Sequence, residues 1–526
     1  MKNFLLIGCL WLCSYYSFSQ ASIRKLPTSI NHPAINVSTP YMSFDGDALL
    51  FLSDNAEDYV LTPFFTYREN NGDWKEPAKL PAQIHNKLSY LGGFTLDTEG
   101  KSLYYTTIKS PGVGGFDIWT AQRSGASWGA PKNLGAPINS KGNEASATVT
   151  PDGKMMYFMR CDKMDQKSAS GCKIMVARKN KLGQWDEPEE LPATINTGNS
   201  QTPRIMADSE TLIFSSDQFG GKGGMDLFVS RYQDGQWSTP KPLEFVNTEK
   251  NDQYISVNGL GRYLLRDSPG ARKSELVEYL IPKGLRPKGV MRVDGKVTDV
   301  SGGTISSYLS VMDLTTNTRV FNGRPAADGS FTVYLLEGSK YRLSVDPEKS
   351  NVSFYTKDFD LMKEDIPQFE KIKVTLKEVQ SGDELNLNQV SFKPNSSELE
   401  PSSYNELKQL ARVIKSSPGM KFEIQVMLIG YEEDTVRTSV DLTEMVYDSV
   451  HLIVDEIDSL GQLYQRDSIF TRISYHNDRT QKQAQAVIGY LGSEGITEEN
   501  LSFLVNARPE AVEEKRKTVI KARAYR

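Results

Sequence analysis

A phrase of three residues recurs four times in the first half of the chain: a Trp, a Pro three residues on, and a Leu three after that. It reads Trp74-Pro77-Leu80, Trp128-Pro131-Leu134, Trp185-Pro188-Leu191 and Trp237-Pro240-Leu243. Successive Trp residues stand 54, 57 and 52 positions apart. That period is too long for one hairpin and too short for an independent domain, so it marks a repeat architecture. Before each Trp a turn leads into an apolar run: Asp45-Gly46 into Leu49-Leu50-Phe51, Glu99-Gly100 into Leu103-Tyr104-Tyr105, Asp152-Gly153 into Met155-Met156-Tyr157-Phe158, and Asp208-Ser209 into Leu212-Ile213-Phe214. These are turn-and-strand signals. A third short strand is expected between the two phrases, at 116–119, 173–176 and 225–228. Four short strands per unit of about 50 residues is the arithmetic of a propeller blade.

The ring can be counted. A fifth turn-and-strand phrase, Leu260-Gly261 into Tyr263-Leu264-Leu265, has a third strand at Leu276 to Tyr279 but no Trp-x-x-Pro strand after it. The missing piece is at the other end, where Leu26-Pro27-Thr28-Ser29-Ile30-Asn31 repeats the pattern of Leu191-Pro192-Ala193-Thr194-Ile195-Asn196. The sequence thus predicts a five-bladed all-β propeller over 20–285, with its N-terminal segment completing the last blade. Trp74, Trp128, Trp185 and Trp237 are read as blade-building residues that bind nothing.

The chain opens Met1-Lys2-Asn3 and runs apolar from Phe4 to about Tyr16, the pattern of a secretory signal peptide over 1–19. Leu6-Ile7-Gly8-Cys9 has the form of a lipobox, but its apolar stretch is shorter than a signal core needs, so cleavage before Gln20 is preferred to a lipid anchor at Cys9. No later run reaches transmembrane length. Lys+Arg number 61 against Asp+Glu 66, which leaves no basic excess to neutralise nucleic-acid phosphates. Cleavage would leave Cys161 and Cys172 as the two cysteines, and an even count in an exported chain reads as a disulfide. The rival, a thiol metal site, lacks a nearby His.

After Pro287 the vocabulary changes. Short alternating strands at 295–298, 308–312, 330–334 and 341–345, punctuated by Asp328-Gly329 and Gly338, predict a small β-sandwich over 288–378. It resembles the carboxypeptidase regulatory-like domain, whose usual role is as a spacer or docking module. From 379 to 526 the pattern is β-α-β-α-β: a strand at 387–392, a helix after Pro401 with Tyr404, Leu407, Leu410, Ala411 and Ile414 on one face, a strand at 422–429, a second helix over about 480–493 and a closing strand. Val390-Ser391-Phe392, Leu399-Glu400-Pro401, Gly430-Tyr431, and Gln483 to Leu491 followed by Gly495-Ile496 make this α/β region similar to the OmpA-like peptidoglycan-associated domain.

That family grips the diaminopimelate carboxylate and ammonium of the cell-wall peptide with an Arg and an Asp. The resemblance places Glu433, with Asp434 beside it, where the Asp stands, and Gln483 where the Arg stands. Gln483 has no bidentate fork for a carboxylate. Arg479, one turn earlier, is the candidate substitute, and Arg516 marks a loosely kept basic motif. An insertion at about 434–478 carries Leu442, Val446, Val450, Ile453, Ile457, Leu460 and Tyr464 at helical spacing, so it is either an amphipathic helix or a hairpin covering the cleft.

The order of signal peptide, propeller, sandwich and OmpA-like domain resembles the multidomain OmpA-family envelope proteins of Bacteroidota, among them the PorE-like components of type IX secretion and gliding. Those carry a tetratricopeptide region before the propeller that this chain lacks. The resemblance implies a periplasmic protein associated with the outer membrane and cell wall. It would be a non-catalytic scaffold that docks an outer-membrane or secretion-complex protein through its propeller and tethers it to peptidoglycan. The alternative is a propeller that takes a glycan or small molecule in its central channel, beside an OmpA-like domain that docks protein and has lost peptidoglycan. His32, His85, His451 and His476 lie in separate units, with no Gly-x-Ser-x-Gly elbow and no His-Glu-x-x-His spacing. No catalytic residue, cofactor or metal site is therefore expected.

Overall fold

The computed structural model describes residues 23–54, 61–84, 87–125, 127–269, 273–393, 396–429, 444–476, 479–508 and 517–526. The expected signal peptide and the candidate residues Glu433, Asp434 and Arg516 lie outside them. The described chain is mostly β and forms two compact units, one running to Met291 and taking in Ile366–Gln368, the other holding the remainder.

The first unit is propeller-like. It contains five antiparallel sheets of successive strands, each starting from a short first strand: Asn36–Met42, Phe94–Leu96, Asn143–Val149, Ser200–Ile205 and Ser256–Val257. In the first four sheets the outermost strand comes from the segment after the Trp. In the fifth it is Ile23–Lys25, which pairs with Ser274–Leu280 through Ile23↔Tyr279 and Lys25↔Val277.

The repeated residues have identifiable mechanical roles. In each turn between first and second strands an N–H closes back on the carbonyl three residues earlier, as Gly46 does on Ser43 and Gly153 on Thr150. The closing residue needs positive φ, +76° at Gly46 and +66° at Gly153, and Ser209 takes that place at +58°. The phrase's Leu returns to the third strand: Leu80, Leu134, Leu191 and Leu243 donate to Pro63, Ile118, Ile174 and Leu227. Beyond it an Asn side chain acts as a substitute strand. Asn196 Oδ1 accepts from Ile174 N–H at 2.8 Å while its Nδ2 donates to Ile174 O at 2.9 Å. Asn139 does this at Ile118, Asn247 at Leu227, and Asn31 at Leu276. Each Asn accepts from a peptide N–H at the sheet's rim and adds a second donor to a carbonyl that the phrase's Leu, or Leu26 in the fifth sheet, already bonds.

Apolar side chains cement neighbouring sheets. Leu50 and Leu52 of the first meet Leu103 and Tyr105 of the second, and Ile118 meets Met156 and Phe158. Ile174 and Val176 meet Leu212 and Phe214, and Ile213 and Leu227 meet Leu264. Leu265 and Leu276 of the fifth sheet then meet Leu49 and Phe51 of the first, with Leu26 and Ile30 between them. The contacts therefore form a closed cycle.

The second unit holds a three-stranded and a four-stranded sheet from the region expected to be a sandwich. Thr318–Gly323, Tyr355–Asp360 and Phe369–Thr375 join the strands read from the sequence. C-terminal to these lies a four-stranded sheet in the order Glu384–Asn386, Lys517–Tyr525, Lys421–Ile429, Leu501–Arg508. Helices α1 (Tyr404–Lys415) and α2 (Thr480–Ser493) pack into the same core, with Leu407, Leu410, Ala484, Val487 and Leu491 fully buried against Phe422, Ile424 and Val426.

Two expectations are corrected. The first strand ends at Asn386 rather than spanning 387–392, because the chain turns there: Val390 N–H bonds to Leu387 O, and Gln389 N–H is taken by the Glu406 carboxylate. The expected single closing strand is two, Leu501–Arg508 parallel and Lys517–Tyr525 antiparallel to Lys421–Ile429. The insertion is a hairpin of two 14-residue strands, Glu444–Ile457 and Leu463–His476.

Candidate functional site

The second unit brings together two of the residues expected to bind peptidoglycan. Arg479 caps the N-terminus of α2 and Gln483 sits one turn along, its N–H bonded to Arg479 O at 2.9 Å. Both are buried, Arg479 at 6% and Gln483 at 1% exposure. The face of α2 that carries them also carries Ala484 and Val487 into the core. Gln483 thus fills space inside the domain, and Arg479 is a buried cation at that helix end, with the exposed Lys482 in the first turn.

A polar junction that the sequence did not single out lies between α1 and the sandwich strands. Arg342, 5% exposed, grips Asp358 with two parallel bonds, Nε to Oδ1 at 2.9 Å and Nη2 to Oδ2 at 3.0 Å. Its remaining donors reach Gln389 Oε1 at 2.8 Å and Ser402 O at 2.6 Å. Beside it Glu406, 1% exposed, accepts from Thr356 Oγ1 at 2.6 Å and from Gln389 N–H at 2.7 Å. Burial pushes the Glu406 carboxyl up to about 7, against the lowering effect of its two hydrogen bonds and of Arg342. The arrangement is a lock between sandwich and α1. Its signal was an acidic residue on the apolar stripe of α1, one position before Leu407.

The insertion hairpin has a different character. Residues directly opposite in an antiparallel pair share a face. The pairs Tyr447↔Ile473, His451↔Ile469, Ile453↔Asp467 and Ile457↔Leu463 therefore place six large apolar side chains on one face. Those six are between 44% and 69% exposed. The same face also carries His451, Asp455 and Asp467, and the other face carries the charged Asp448, Arg472, Arg466 and Glu456 among its apolar residues. The four-residue steps Val446 to Val450 and Ile453 to Ile457 fit a two-residue period as well as a helical one, and the three-residue step between them moves the apolar positions to the other face. β-Branched Val446, Val450, Ile453, Val454 and Ile457 and the Asp458–Gly461 turn decide for strands.

In the first unit Cys161 ends the strand Met155–Cys161, Cys172 precedes Lys173–Arg178, and the two form a disulfide with S–S at 2.08 Å. Trp237 is buried against Tyr157, while Trp74, Trp128 and Trp185 are partly buried at the edges of the inter-sheet clusters. Arg68 and Lys179 stand over the Trp74 and Trp185 rings at 4.3 and 4.8 Å. Among the described residues no group of three or more His, Cys, Asp or Glu is placed to hold a metal, and no helix is long and apolar enough to cross a membrane.

No protein-family model matches the chain, and no curated protein sequence is similar to it. Among solved structures, a putative TolB from Agrobacterium tumefaciens is similar over 57% of this chain and 90% of its own, at 15% identity and a TM-score of 0.28. A putative glycoside hydrolase from Parabacteroides distasonis covers 49% of this chain and 96% of its own, at 10% identity and 0.32. An endo-arabinase from Bacteroides thetaiotaomicron covers 49% and 97%, at 14% identity and 0.33. Likenesses this distant carry no statement about chemistry.

Proposed function

We propose that this protein is a non-catalytic scaffold of the bacterial envelope, a five-bladed propeller followed by a regulatory-like sandwich and a divergent OmpA-like domain. In this reading it docks an outer-membrane or secretion-complex protein and tethers it to peptidoglycan, with type IX secretion or gliding as the setting that the domain order implies. The five sheets and their cyclic clusters support the blade count. The observation that carries the docking role is the hairpin face bearing Tyr447, Ile453, Ile457, Leu463, Ile469 and Ile473. A two-stranded hairpin is marginal on its own, and exposed apolar surface of this kind marks an interaction site.

The test has two arms. A photo-crosslinking residue at Ile453 in the full chain, activated in intact cells, is expected to join an envelope protein. Adducts with lipid only, or none, would end the docking role. Sedimentation with purified sacculi tests the tether: the wild type is expected to sediment, and Glu433→Ala and Arg479→Gln each to reduce it. Losing a charge-assisted pair worth roughly 1.5–3 kcal/mol lowers affinity by about one to two decades. A wild type that stays in solution would remove the cell wall from the proposal and leave the scaffold.

A further inference from the structure

The first strands of the five sheets meet around the axis of the first unit. Thr39 Oγ1 donates to Tyr90 O, Thr95 Oγ1 to Ala147 O, Thr202 Oγ1 to Gln253 O, and Met42 N–H to Ser256 Oγ. Strand register identifies one equivalent position in each: Tyr41 opposite Leu50, Thr95 opposite Tyr104, Thr148 opposite Tyr157, Arg204 opposite Ile213 and Ser256 opposite Leu265. Four are neutral hydroxyl side chains and one is a cation. All five line a single cavity of about 60 Å³.

Arg204 is only 3% exposed. Its Nη1 donates to Thr95 Oγ1 at 2.7 Å, and its guanidinium carbon lies 5.7 Å from the ring centres of both Tyr41 and Tyr254. Neither tyrosine accepts from it: Tyr41 donates its O–H to Leu96 O, and the Tyr254 hydroxyl is bonded to Ser146 Oγ. Nε and Nη2 of Arg204 are buried with no hydrogen-bond partner. These two nitrogens share one edge of the planar guanidinium, and their parallel N–H bonds match the two oxygens of a carboxylate. No Asp or Glu among the described residues lines the cavity. Burial favours loss of the charge, but a guanidinium keeps its proton, so the buried cation calls for an anion from outside.

We propose that this axial cavity binds a small carboxylate, held bidentately by the free edge of Arg204. The site is a separate assignment from the scaffold role and survives its failure. Thr148 and Ser256 offer hydroxyls to the same space, and Met42, Leu96, Val149 and Met206 give it apolar walls suited to a short alkyl group. At roughly 10–15 Å³ of such space for each water molecule, about 60 Å³ admits a small carboxylate of acetate or bromoacetate size. A halide engages the fork at one point, whereas a carboxylate engages both N–H groups, so the site should prefer the carboxylate.

Thermal unfolding of the full chain, followed by Trp fluorescence, tests this with sodium acetate against sodium chloride at equal ionic strength. Trp74, Trp119, Trp128, Trp185 and Trp237 all belong to the first unit. Wild-type Tm is expected to rise saturably with acetate beyond chloride, by roughly 5 °C at a hundredfold excess over Kd. Arg204→Gln should abolish the difference, and Arg204→Lys, which keeps charge without the fork, should lose most of it. Equal effects of the two salts on the wild type, or a difference that persists in Arg204→Gln, would overturn the proposal. Should Arg204→Gln not fold, wild-type crystals soaked in bromoacetate decide: an anomalous bromine peak in the cavity supports the site, and a cavity without one overturns it.

Discussion

Replacing Glu406 by Gln should stabilise the second unit at neutral pH and leave it unchanged in acid. Burial disfavours the charged form and pushes the carboxyl up to about 7 in the folded chain, against an ordinary value of 4.5. At roughly 1.4 kcal/mol per unit this corresponds to about 3 kcal/mol. The sign follows from the raised value. Below pH 4.5 the group is neutral in both states, and stability is full. As pH rises toward 7 the unfolded chain ionises first, and the folded state loses that stability until both are charged. Gln can keep both contacts, its oxygen accepting from Gln389 N–H and its amide donating to Thr356 Oγ1, a hydroxyl able to reverse its role. The second unit has no Trp, so the assay is amide hydrogen exchange of α1 in the full chain, as the variant-to-wild-type ratio at each pH. At pH 8 the variant's α1 amides should exchange about a hundredfold more slowly, and at pH 4.5 the two should converge. A ratio that does not change with pH would refute the burial argument. A variant less protected at every pH would show that the carboxylate is held by the lock rather than penalised by it.

Two further outcomes concern the first unit. Cys161→Ser with Cys172→Ser should lower its stability to urea by roughly 2–3 kcal/mol, the chain-entropy value for so short a loop, and thiol labelling of the untreated protein should find neither of these cysteines free. Asn196→Ala removes the bond at Ile174 N–H and one bond each from Ile174 O, which keeps Leu191 N–H, and Leu191 O, and should cost roughly 2–4 kcal/mol by Trp fluorescence; a loss under 1 kcal/mol would mean that water replaces the amide.

What was legible in the sequence was whatever recurs. The Trp, Pro, Leu and turn residues repeat because each sheet needs the same turn, the same return to its third strand and the same apolar filling. Their spacing therefore reveals the sheets before any coordinate does. Arg204 was illegible for the opposite reason: its equivalents are Tyr41, Thr95, Thr148 and Ser256, and a position with four residue types in five copies leaves no periodic trace. Register alone makes the five comparable. The Arg342 and Glu406 lock is a tertiary pairing across 64 residues, visible only as one acidic residue on an apolar stripe. The hairpin was ambiguous because apolar residues four apart fit both a helix face and strand alternation, and the Asp458–Gly461 turn that settles the matter is a local feature.

The pairing of Ile23–Lys25 with Ser274–Leu280 also has a consequence in time. Ribosomes make the N-terminus first, yet Asn31 must wait for Leu276, 245 positions later, before its Oδ1 meets the N–H it accepts from. Until then the first sheet has Leu49 and Phe51 uncovered on the side that Leu265 and Leu276 will fill. The ring cannot finish sheet by sheet as it emerges; its last step is a long-range closure, the slow kind of contact to form. A chain interrupted anywhere before residue 280 would present an unpaired strand edge and an open apolar seam together, the combination that invites association with another unfinished copy. Synthesis of this unit thus has one vulnerable interval, and it lasts until the fifth sheet is complete.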